Sequence, residues 1–354
     1  TAPRTRDPTR RYVTIDKRAP HRHRHRYQYQ SVSRLHIAMF TPLEKVGVVC
    51  LSVLGFQIAR AVLRRVYNTL LAPALRLNVN LKEMGQWAVI TGATDGLGKA
   101  FAEAVAKKGM DVVLISRTKS KLDTVAQEIR ENYKVNTKVI EADFTEGNTV
   151  YHHIEKELYG MDVGVLINNV GLSYPHPDQF LSLPEHSKVY HDIIQCNIAA
   201  MLSMCQIVMP GMCEQRRGVV INIGSTAGDI PSPMLTVYGA SKVFVSKFSR
   251  DLASEYKQYG IIVQCLTPGY VATKMSKIKK PTWMAPSPAK YVNSALSTVG
   301  IEDHTTGYYP HSLLVGCIKL MESLSPNFAY WMITRTMENI KSRAVRKSNQ
   351  IAAS

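Results

Sequence analysis

The 354-residue chain has few acidic residues, and no two of its cysteines have the close spacing of a metal or redox motif. Its 27 Asp and Glu are outnumbered by 44 Lys and Arg, and the resulting charge of +17 indicates an anionic partner: nucleic acid, a membrane surface or a phosphorylated ligand. The six cysteines are scattered without a Cys-x-x-Cys pair. This pattern favours reduced cytosolic thiols over a zinc site or a disulfide framework, so we expect no metal.

The positive charge is concentrated at the N-terminus, where residues 1–38 carry a net charge of +8. They have almost no apolar periodicity, so we expect a disordered arm. Alternating His and Arg at 21–26 could bind a metal ion or nucleic acid, but neither aromatic platforms nor a fold accompany them, and we predict no nucleic-acid partner. Because the first methionine is Met39, residues 1–38 could instead be a translated leader or a gene-model artefact, and thus not native.

Long uncharged runs are also scarce. Residues 46–59 are free of charge, but as a helix they would span about 21 Å, less than the roughly 30 Å of a bilayer core. A short signal-anchor helix, an interfacial helix and a core helix all remain open, and we favour a membrane anchor with its linker over residues 39–82. Arg60, Arg64 and Arg65 would keep the following chain in the cytosol. We expect no cleaved signal peptide, because no small-residue cleavage site follows.

From residue 86 onward, short apolar runs alternate with helical patterns. This alternation predicts an α/β fold, a doubly wound parallel sheet of Rossmann-like type, forming a single domain over residues 83–311 with a C-terminal extension over 312–354. The apolar helix at 197–209 lies between two strands, which favours core or dimer packing over a membrane span. The six predicted strands are residues 87–90, 112–115, 138–140, 163–167, 219–223 and 261–266.

A glycine-rich turn, residues 91–98, joins the first strand to the first helix. Glycines at 92, 96 and 98 would let the backbone approach a pyrophosphate at the helix N-terminus. After the second strand, where enzymes that use NAD carry Asp or Glu for the ribose 2′-hydroxyl, this chain has Ser116 and Arg117. The guanidinium favours a 2′-phosphate, so we predict NADPH, although Arg117 could be a plain surface residue.

A second constellation predicts proton transfer to a carbonyl group. Tyr238 and Lys242 are four residues apart and so share a helix face. The lysine cation could lower the phenol pKa toward neutrality, and the phenol could then donate a proton as hydride reaches the carbonyl carbon. Ser225, thirteen residues earlier, could hydrogen-bond the same oxygen.

These motifs resemble those of the short-chain dehydrogenase/reductase family, through the turn at 91–98, the Asn-Asn-Val-Gly sequence at 168–171 and the Tyr-x-x-x-Lys sequence at 238–242. The resemblance implies a catalytic set of Asn197, Ser225, Tyr238 and Lys242. It also implies that Asp143 contacts the adenine, although Asp143 could equally cap a helix. The full set of implied cofactor contacts is Gly92, Thr94, Asp95, Gly96, Leu97, Gly98, Ser116, Arg117, Asp143, Asn169, Tyr238, Lys242, Pro268, Gly269 and Thr273.

Over residues 46–345 the chain is most similar to the branch of very-long-chain 3-oxoacyl-CoA reductases and 17-beta-hydroxysteroid dehydrogenases of types 12 and 3. The residues that carry this likeness are 87–96, 113–117, 168–174, 271–275 and 280–282. It implies a homodimeric enzyme of the endoplasmic reticulum membrane, facing the cytosol, that reduces 3-oxoacyl-CoA in fatty-acid elongation beside other elongation enzymes. A steroid or other lipid ketone as substrate, and a non-catalytic scaffold that binds NADPH, remain alternatives.

Two further segments lead to hypotheses about substrate and membrane. Lys274, Lys277, Lys279 and Lys280 follow the sixth strand and could hold CoA phosphates or lipid headgroups, or form a solvated loop. Residues 312–333 are apolar and could line an acyl tunnel or touch membrane lipid.

Overall fold

The computed structural model describes residues 41–67, 71–72, 75, 77–147 and 149–352. The chain divides into two units, of which one ends at Arg65 and the other begins at Val66. The predicted basic arm, residues 1–38, lies outside the described residues, as does part of the predicted anchor and linker, residues 39–82.

The described part of the first unit consists almost entirely of one long helix, α1 (Pro42–Val66), which ends at the boundary between the units. It begins with a capping box, in which Glu44 N–H donates to Thr41 Oγ1 at 3.3 Å and Thr41 N–H donates to the Glu44 carboxylate at 2.6 Å. With 25 residues, α1 is about 38 Å long and exceeds the roughly 30 Å of a bilayer core. It is longer than the uncharged run because it continues through charged residues at both ends. The stretch Pro42–Arg60 is apolar enough to cross a membrane and none of it is buried, so α1 is a candidate anchor.

The second unit is built on a sheet of parallel strands in the order β3-β2-β1-β4-β5-β6-β7. The central strands are apolar on both faces, which is possible only because helices cover both sides. This confirms the predicted doubly wound sheet. The strands are β1 (Trp87–Thr91), β2 (Asp111–Ser116), β3 (Thr137–Glu141), β4 (Val163–Asn168), β5 (Gly218–Ile223), β6 (Ile261–Leu266) and β7 (His304–Thr305).

Helices connect the strands and form two apolar cores, one on each face of the sheet. One core packs around Phe101 and Tyr291, and the other around Ile154 and Met204. The helices are α2 (Gly96–Ala106), α3 (Lys119–Tyr133), α4 (Thr149–Leu158), α5 (His186–Ile194), α6 (Ala200–Gln215), α7 (Thr236–Tyr256), α8 (Pro288–Leu296), α9 (Tyr309–Leu324) and α10 (Pro326–Ala352).

The point where the sheet changes its winding direction lies beside β1. Strand β1 pairs with β2 on one side and with β4 on the other, so the chain leaves β1 in one direction and later returns to build the other half. Such a switch opens a crevice at the carboxyl ends of the two strands, which is where open α/β sheets bind ligands. The turn after β1 and the Asn-Asn sequence after β4 both reach this crevice.

Two features differ from the sequence-based prediction. Strand β7 was not predicted, because it pairs through only two residues, His304 and Thr305, and so leaves no apolar run to read. The predicted start of the C-terminal extension at residue 312 falls inside α9, so the fold has no break there.

The helix at 197–209 is part of a longer apolar segment, His186–Gln215, that is half buried in the core, as its place between strands predicted.

Candidate active site

Three glycines shape the turn between β1 and α2. Gly92 and Gly96 have φ angles of +65° and +55°, which L side chains rarely adopt. A Cβ atom on Gly98 would lie 2.1 Å from the Gly92 carbonyl oxygen, so no side chain fits there. The turn is thus a bare backbone surface at the N-terminus of α2, the geometry that a pyrophosphate needs.

The segment after β6 reaches across this turn. Lys274 Nζ lies 2.5 Å from the Asp95 carboxylate, and a Cβ atom on Gly96 would lie 3.3 Å from the Thr273 methyl group. Burial raises the pKa of Asp95, but the ion pair with Lys274 and the hydrogen bond from Gly96 N–H outweigh it, so the pKa lies below its usual value. The pair is largely exposed and adds little stability, but it shows that the two loops meet.

The residues predicted to select the nucleotide lie at the end of β2. Thr94 Oγ1, in the glycine turn, is 3.4 Å from Ser116 Oγ, so the end of β2 adjoins the turn. Arg117 follows and is exposed. Arg117 is therefore accessible to a ligand at the end of β2, and its contact with a 2′-phosphate stays a prediction.

Asn169 and Asp143 have structural partners in addition to their predicted cofactor roles. Asn169 Nδ2 donates to the carbonyl oxygens of Thr91 at 3.0 Å and Gly92 at 3.2 Å, and so holds the glycine turn against β4. Asp143 accepts hydrogen bonds from the Thr145 N–H at 3.0 Å and hydroxyl at 2.8 Å. Asp143 therefore closes a local turn, and its adenine contact stays a prediction.

Tyr238 and Lys242 lie one turn apart on α7, on the same face, as their spacing predicted. Lys242 Nζ is 5.8 Å from the centre of the Tyr238 ring and donates to the Ile223 carbonyl oxygen at 2.9 Å. The lysine is only 5% exposed, whereas the tyrosine is partly exposed. The ammonium group is thus fixed by the end of β5 close to the ring of Tyr238.

Ser225 comes from the end of β5 and faces the same phenol. It caps the short 3-10 helix Thr226–Gly228, where its Oγ accepts from Ala227 N–H at 3.2 Å. Burial raises the pKa of the Tyr238 phenol, and the interaction with the Ser225 hydroxyl offsets part of this rise. Thr226 N–H donates to the Pro268 carbonyl oxygen at 3.0 Å, so the loop after β6 lies beside the serine loop.

Asn197 completes the group from a π-helical turn, Gln195–Ala199, between α5 and α6. It is 2% exposed, and its Nδ2 donates to Ser241 Oγ at 2.9 Å, which in turn donates to the Tyr238 carbonyl oxygen at 2.7 Å. A Cβ atom on Gly171 would lie 3.1 Å from Asn197 Oδ1 and 3.5 Å from Lys242 Nζ. The four predicted catalytic residues therefore converge at the carboxyl ends of β4 and β5.

Comparison with known proteins identifies this arrangement. Residues 86–282 match the sequence model of the short chain dehydrogenases, and the chain is 47% identical over 264 residues to the very-long-chain 3-oxoacyl-CoA reductase of Anas platyrhynchos, covering 75% of this chain and 84% of that one. The chain belongs to the short-chain dehydrogenase/reductase family. The reductase of the same name from Homo sapiens is 45% identical over 257 residues, which are 73% of this chain and 80% of that one.

Solved structures of the family share the fold. A structure on 7beta-hydroxysteroid dehydrogenase stereoselectivity matches 72% of this chain and 100% of its own, with a TM-score of 0.63 and 28% identity. A short-chain dehydrogenase from Sphingobium yanoikuyae in complex with NADPH matches 67% of this chain and 94% of its own, with a TM-score of 0.57 and 28% identity. The family resemblance read from the motifs is thereby confirmed, and the chain is an oxidoreductase.

The electrostatics of the pair differ from the prediction. We expected Lys242 to lower the phenol pKa, but burial raises the pKa of Tyr238 above its usual value, and the interaction with Ser225 offsets only part of this. Burial also lowers the pKa of Lys242 from 10.5 to about 8. The expectation was wrong because spacing along a helix does not show how deeply a pair is desolvated. A phenol that keeps its proton at neutral pH is the form that can donate one.

The sequence analysis missed His311, which is fully buried at the start of α9. Its Nδ1 accepts from Gly269 N–H at 3.1 Å, and its Nε2 lies 3.1 Å from the carbonyl oxygens of Tyr270 and Met284. Gly269 and its neighbours were predicted to contact the cofactor, so His311 lies directly behind that loop. A single histidine in an apolar segment gives no motif by which it could have been found.

Metal chemistry was not expected. Among the residues that the structure describes, there is no group of three or more His, Cys, Asp or Glu side chains placed to hold a metal ion.

The rate of carbonyl reduction should depend on the charge of Lys242. Because its pKa lies at about 8, the ammonium group that would stabilise a phenolate is present below that pH and is lost above it. We therefore expect kcat for reduction to fall as pH rises through about 8, measured as a pH–rate profile with saturating NADPH. The exposed Lys247→Met variant is the control and should leave the profile unchanged. A kcat that stays constant to about pH 10 would contradict the assignment.

Proposed function

We propose that this protein is an NADPH-dependent reductase that converts 3-oxoacyl-CoA to 3-hydroxyacyl-CoA in very-long-chain fatty-acid elongation. The observation that carries the proposal is the complete set of Asn197, Ser225, Tyr238 and Lys242 in a chain that is 42–47% identical to reductases of that name. The set also argues against a non-catalytic scaffold, which has no need of it.

The residues at the crevice fit NADPH. The glycine turn offers bare backbone for the pyrophosphate, and the guanidinium of Arg117, with no carboxylate at the end of β2, suits a 2′-phosphate. Pro268, Gly269 and Thr273 would adjoin the nicotinamide end, since their loop lies beside the serine loop. Bound NADPH supplies the hydride that is delivered to the carbonyl carbon.

The side chains of the site handle the oxygen and the proton. Ser225 and Tyr238 donate hydrogen bonds to the substrate carbonyl oxygen, and Tyr238 gives its proton to that oxygen as negative charge develops there. Lys242, positively charged below about pH 8, stabilises the phenolate that remains. Asn197 fixes the backbone of Tyr238 through Ser241 and so helps to hold the phenol in position beside Ser225 and Lys242.

A cavity of about 580 Å³ beside the site supports a substrate with a long polar arm. It lies between α10 and the loops that follow β4 and β5, and Met234 in its wall is four residues before Tyr238, in the loop that leads into α7. Pockets of 300–1,000 Å³ are typical for small ligands. Both polar and apolar side chains line it, which suits the amides and methylene groups of a pantetheine arm; the lining residues are Gln179, Phe180, Pro233, Met234, Thr334, Arg335, Glu338, Asn339, Lys341 and Ser342.

The four lysines after β6 do not form one free anion site. Lys274 pairs with Asp95, and Lys277 Nζ donates to the Pro175 carbonyl oxygen at 2.8 Å. Lys279 and Lys280 are exposed and remain available for CoA phosphates or lipid headgroups. The hypothesis that lysines after β6 hold anionic groups therefore applies only to Lys279 and Lys280.

A steroid or other lipid ketone is the second candidate substrate. It is favoured by the likeness to the structure on 7beta-hydroxysteroid dehydrogenase, which the chain matches over the whole of that protein's length. The proton transfer at Tyr238 would be the same, and only the shape of the substrate pocket would differ.

Substrate choice is tested by following NADPH oxidation on detergent-solubilised protein with three ketones: a long-chain 3-oxoacyl-CoA, the same acyl chain on pantetheine, and a keto-steroid. We expect turnover of the CoA thioester, and Tyr238→Phe should reduce it by about 100- to 10,000-fold because the phenol proton is lost. Tyr159→Phe is the matched control, since Tyr159 is 89% exposed. Turnover of the steroid alone would favour the second candidate, and full activity of Tyr238→Phe would refute the mechanism.

A homodimer is the proposed assembly, formed through α5, α6 and α7. Ile194 on α5 and Val243 and Phe244 on α7 are large apolar residues that are exposed by 46%, 50% and 39%. Phe244 stacks on Phe248 at 6.1 Å, which widens the apolar face. Solubilised protein should therefore have the mass of a dimer in light scattering, and Val243→Glu should give a monomer. A monomeric unmodified protein would contradict the proposal.

The proposed location is the endoplasmic reticulum membrane with the catalytic domain in the cytosol, where other elongation enzymes would be neighbours. α1 is the anchor, and the apolar side chains of Leu324 and Trp331, exposed by 78% and 63%, offer further contact with membrane lipid. In sealed microsomes, added protease should digest the catalytic domain without detergent. Protection of the domain until detergent is added would show the opposite orientation.

A further inference from the structure

One buried imidazole ties together three parts of the chain behind the cofactor crevice. His311 is fully buried, and both of its ring nitrogens have partners. Gly269 N–H donates to Nδ1 at 3.1 Å, while Nε2 lies 3.1 Å from the carbonyl oxygens of Tyr270 and Met284. Each contact is a backbone group, so replacing neighbouring side chains would leave them in place.

The hydrogen-bond partners determine which nitrogen of the His311 ring carries the proton. Because Nδ1 accepts a hydrogen bond, the proton of the neutral imidazole is on Nε2, which can donate to the two carbonyl oxygens. Burial lowers the pKa of His311, which agrees with a neutral ring. Tyr308 packs edge-on against it at 5.2 Å and Tyr291 lies 5.9 Å away, so the ring has little freedom to turn.

These bonds close the base of one loop. Tyr270 and Met284 flank residues 271–283, which we term the cofactor loop, and both ends of this loop are held by the same nitrogen. Ala272 N–H also donates to the Pro286 carbonyl oxygen at 2.9 Å, which strengthens the closed base. The first part of the cofactor loop reaches the glycine turn through Thr273 and Lys274.

The base of the cofactor loop lies at the reacting end of the crevice, whereas the adenine end is at the end of β2. Pro268, just before the loop, accepts a hydrogen bond from Thr226 beside the catalytic Ser225. Ser116 and Arg117 lie at the end of β2, on the other side of β1. A displacement of the cofactor loop would thus affect one half of a dinucleotide and spare the other.

We propose that His311 is a positioning residue that sets the cofactor loop over the nicotinamide half of bound NADPH. The inference rests on NADPH binding at this crevice and does not depend on which ketone is reduced. An apolar residue of similar size could fill the same space, but it would leave Gly269 N–H and the two carbonyl oxygens without partners.

The test compares two ligands on the full-length protein. NADPH spans the whole crevice, whereas adenosine 2′,5′-bisphosphate reaches only the end near Arg117. For His311→Leu we expect the Kd of NADPH to rise by about 10- to 100-fold and the Kd of the bisphosphate to stay unchanged. Hydrogen exchange in residues 271–283 should become faster, while exchange in β1, β4 and β5 should not change.

Two polar variants separate the nitrogens and cover the case in which His311→Leu does not fold. The amide oxygen of Asn can take the place of Nδ1, and the longer Gln can place an N–H donor where Nε2 lies. We expect His311→Asn to bind NADPH more tightly than His311→Leu does. Hydrogen exchange in the cofactor loop should be slower in His311→Gln than in His311→Leu.

Three results would overturn the inference: an NADPH Kd within about twofold of the unmodified protein in every variant, an equal loss of affinity for both ligands, or identical behaviour of the Leu, Asn and Gln variants. The last two would mark His311 as a residue of the general core. If the ligand-binding results are as expected but the unmodified protein does not reduce 3-oxoacyl-CoA, the proposed function fails and the inference about His311 stands.

Discussion

A parallel sheet that is apolar on both faces must be covered by helices on both sides, and the site depends on how this chain meets that requirement. The winding direction reverses beside β1, so the loops after β1 and β4 diverge and leave a crevice. Asn169, after β4, holds the glycine turn after β1 by hydrogen bonds to backbone oxygens. The reversal therefore forms the crevice, and it also places Asn169 where its hydrogen bonds hold the two loops together.

The chemical groups come from separate elements but share backbone supports. Lys242 is held by the carbonyl oxygen at the end of β5, and Ser225 follows that strand directly. Asn197 is bonded to Leu172 on one side and, through Ser241, to the backbone of Tyr238 on the other. The side chains of Lys242, Ser225 and Asn197 are thus each oriented by a main-chain atom of the sheet or its loops.

Sequence patterns predicted the features that depend on local spacing. Six strands have continuous apolar runs, and Tyr238 and Lys242 share a face because they are four residues apart. Features that depend on long-range packing escaped prediction. β7 is defined only by its pairing with β6, and the three partners of His311 lie 27 to 42 residues away. The raised pKa of Tyr238 arises from burial, which spacing cannot reveal.

The burial of Lys242 also has a consequence for stability. Its amino group is buried beside a carbonyl oxygen, and burial brings its pKa to about 8, against 10.5 in the unfolded chain. Burial of the charged amino group therefore lowers the free energy of unfolding by about 3 kcal/mol at neutral pH. This loss is complete below pH 8 and disappears as pH rises to 10.5, where the amino group is neutral in both states. The buried ammonium group therefore weakens the native state, and the apolar cores on the two faces of the sheet must offset this cost.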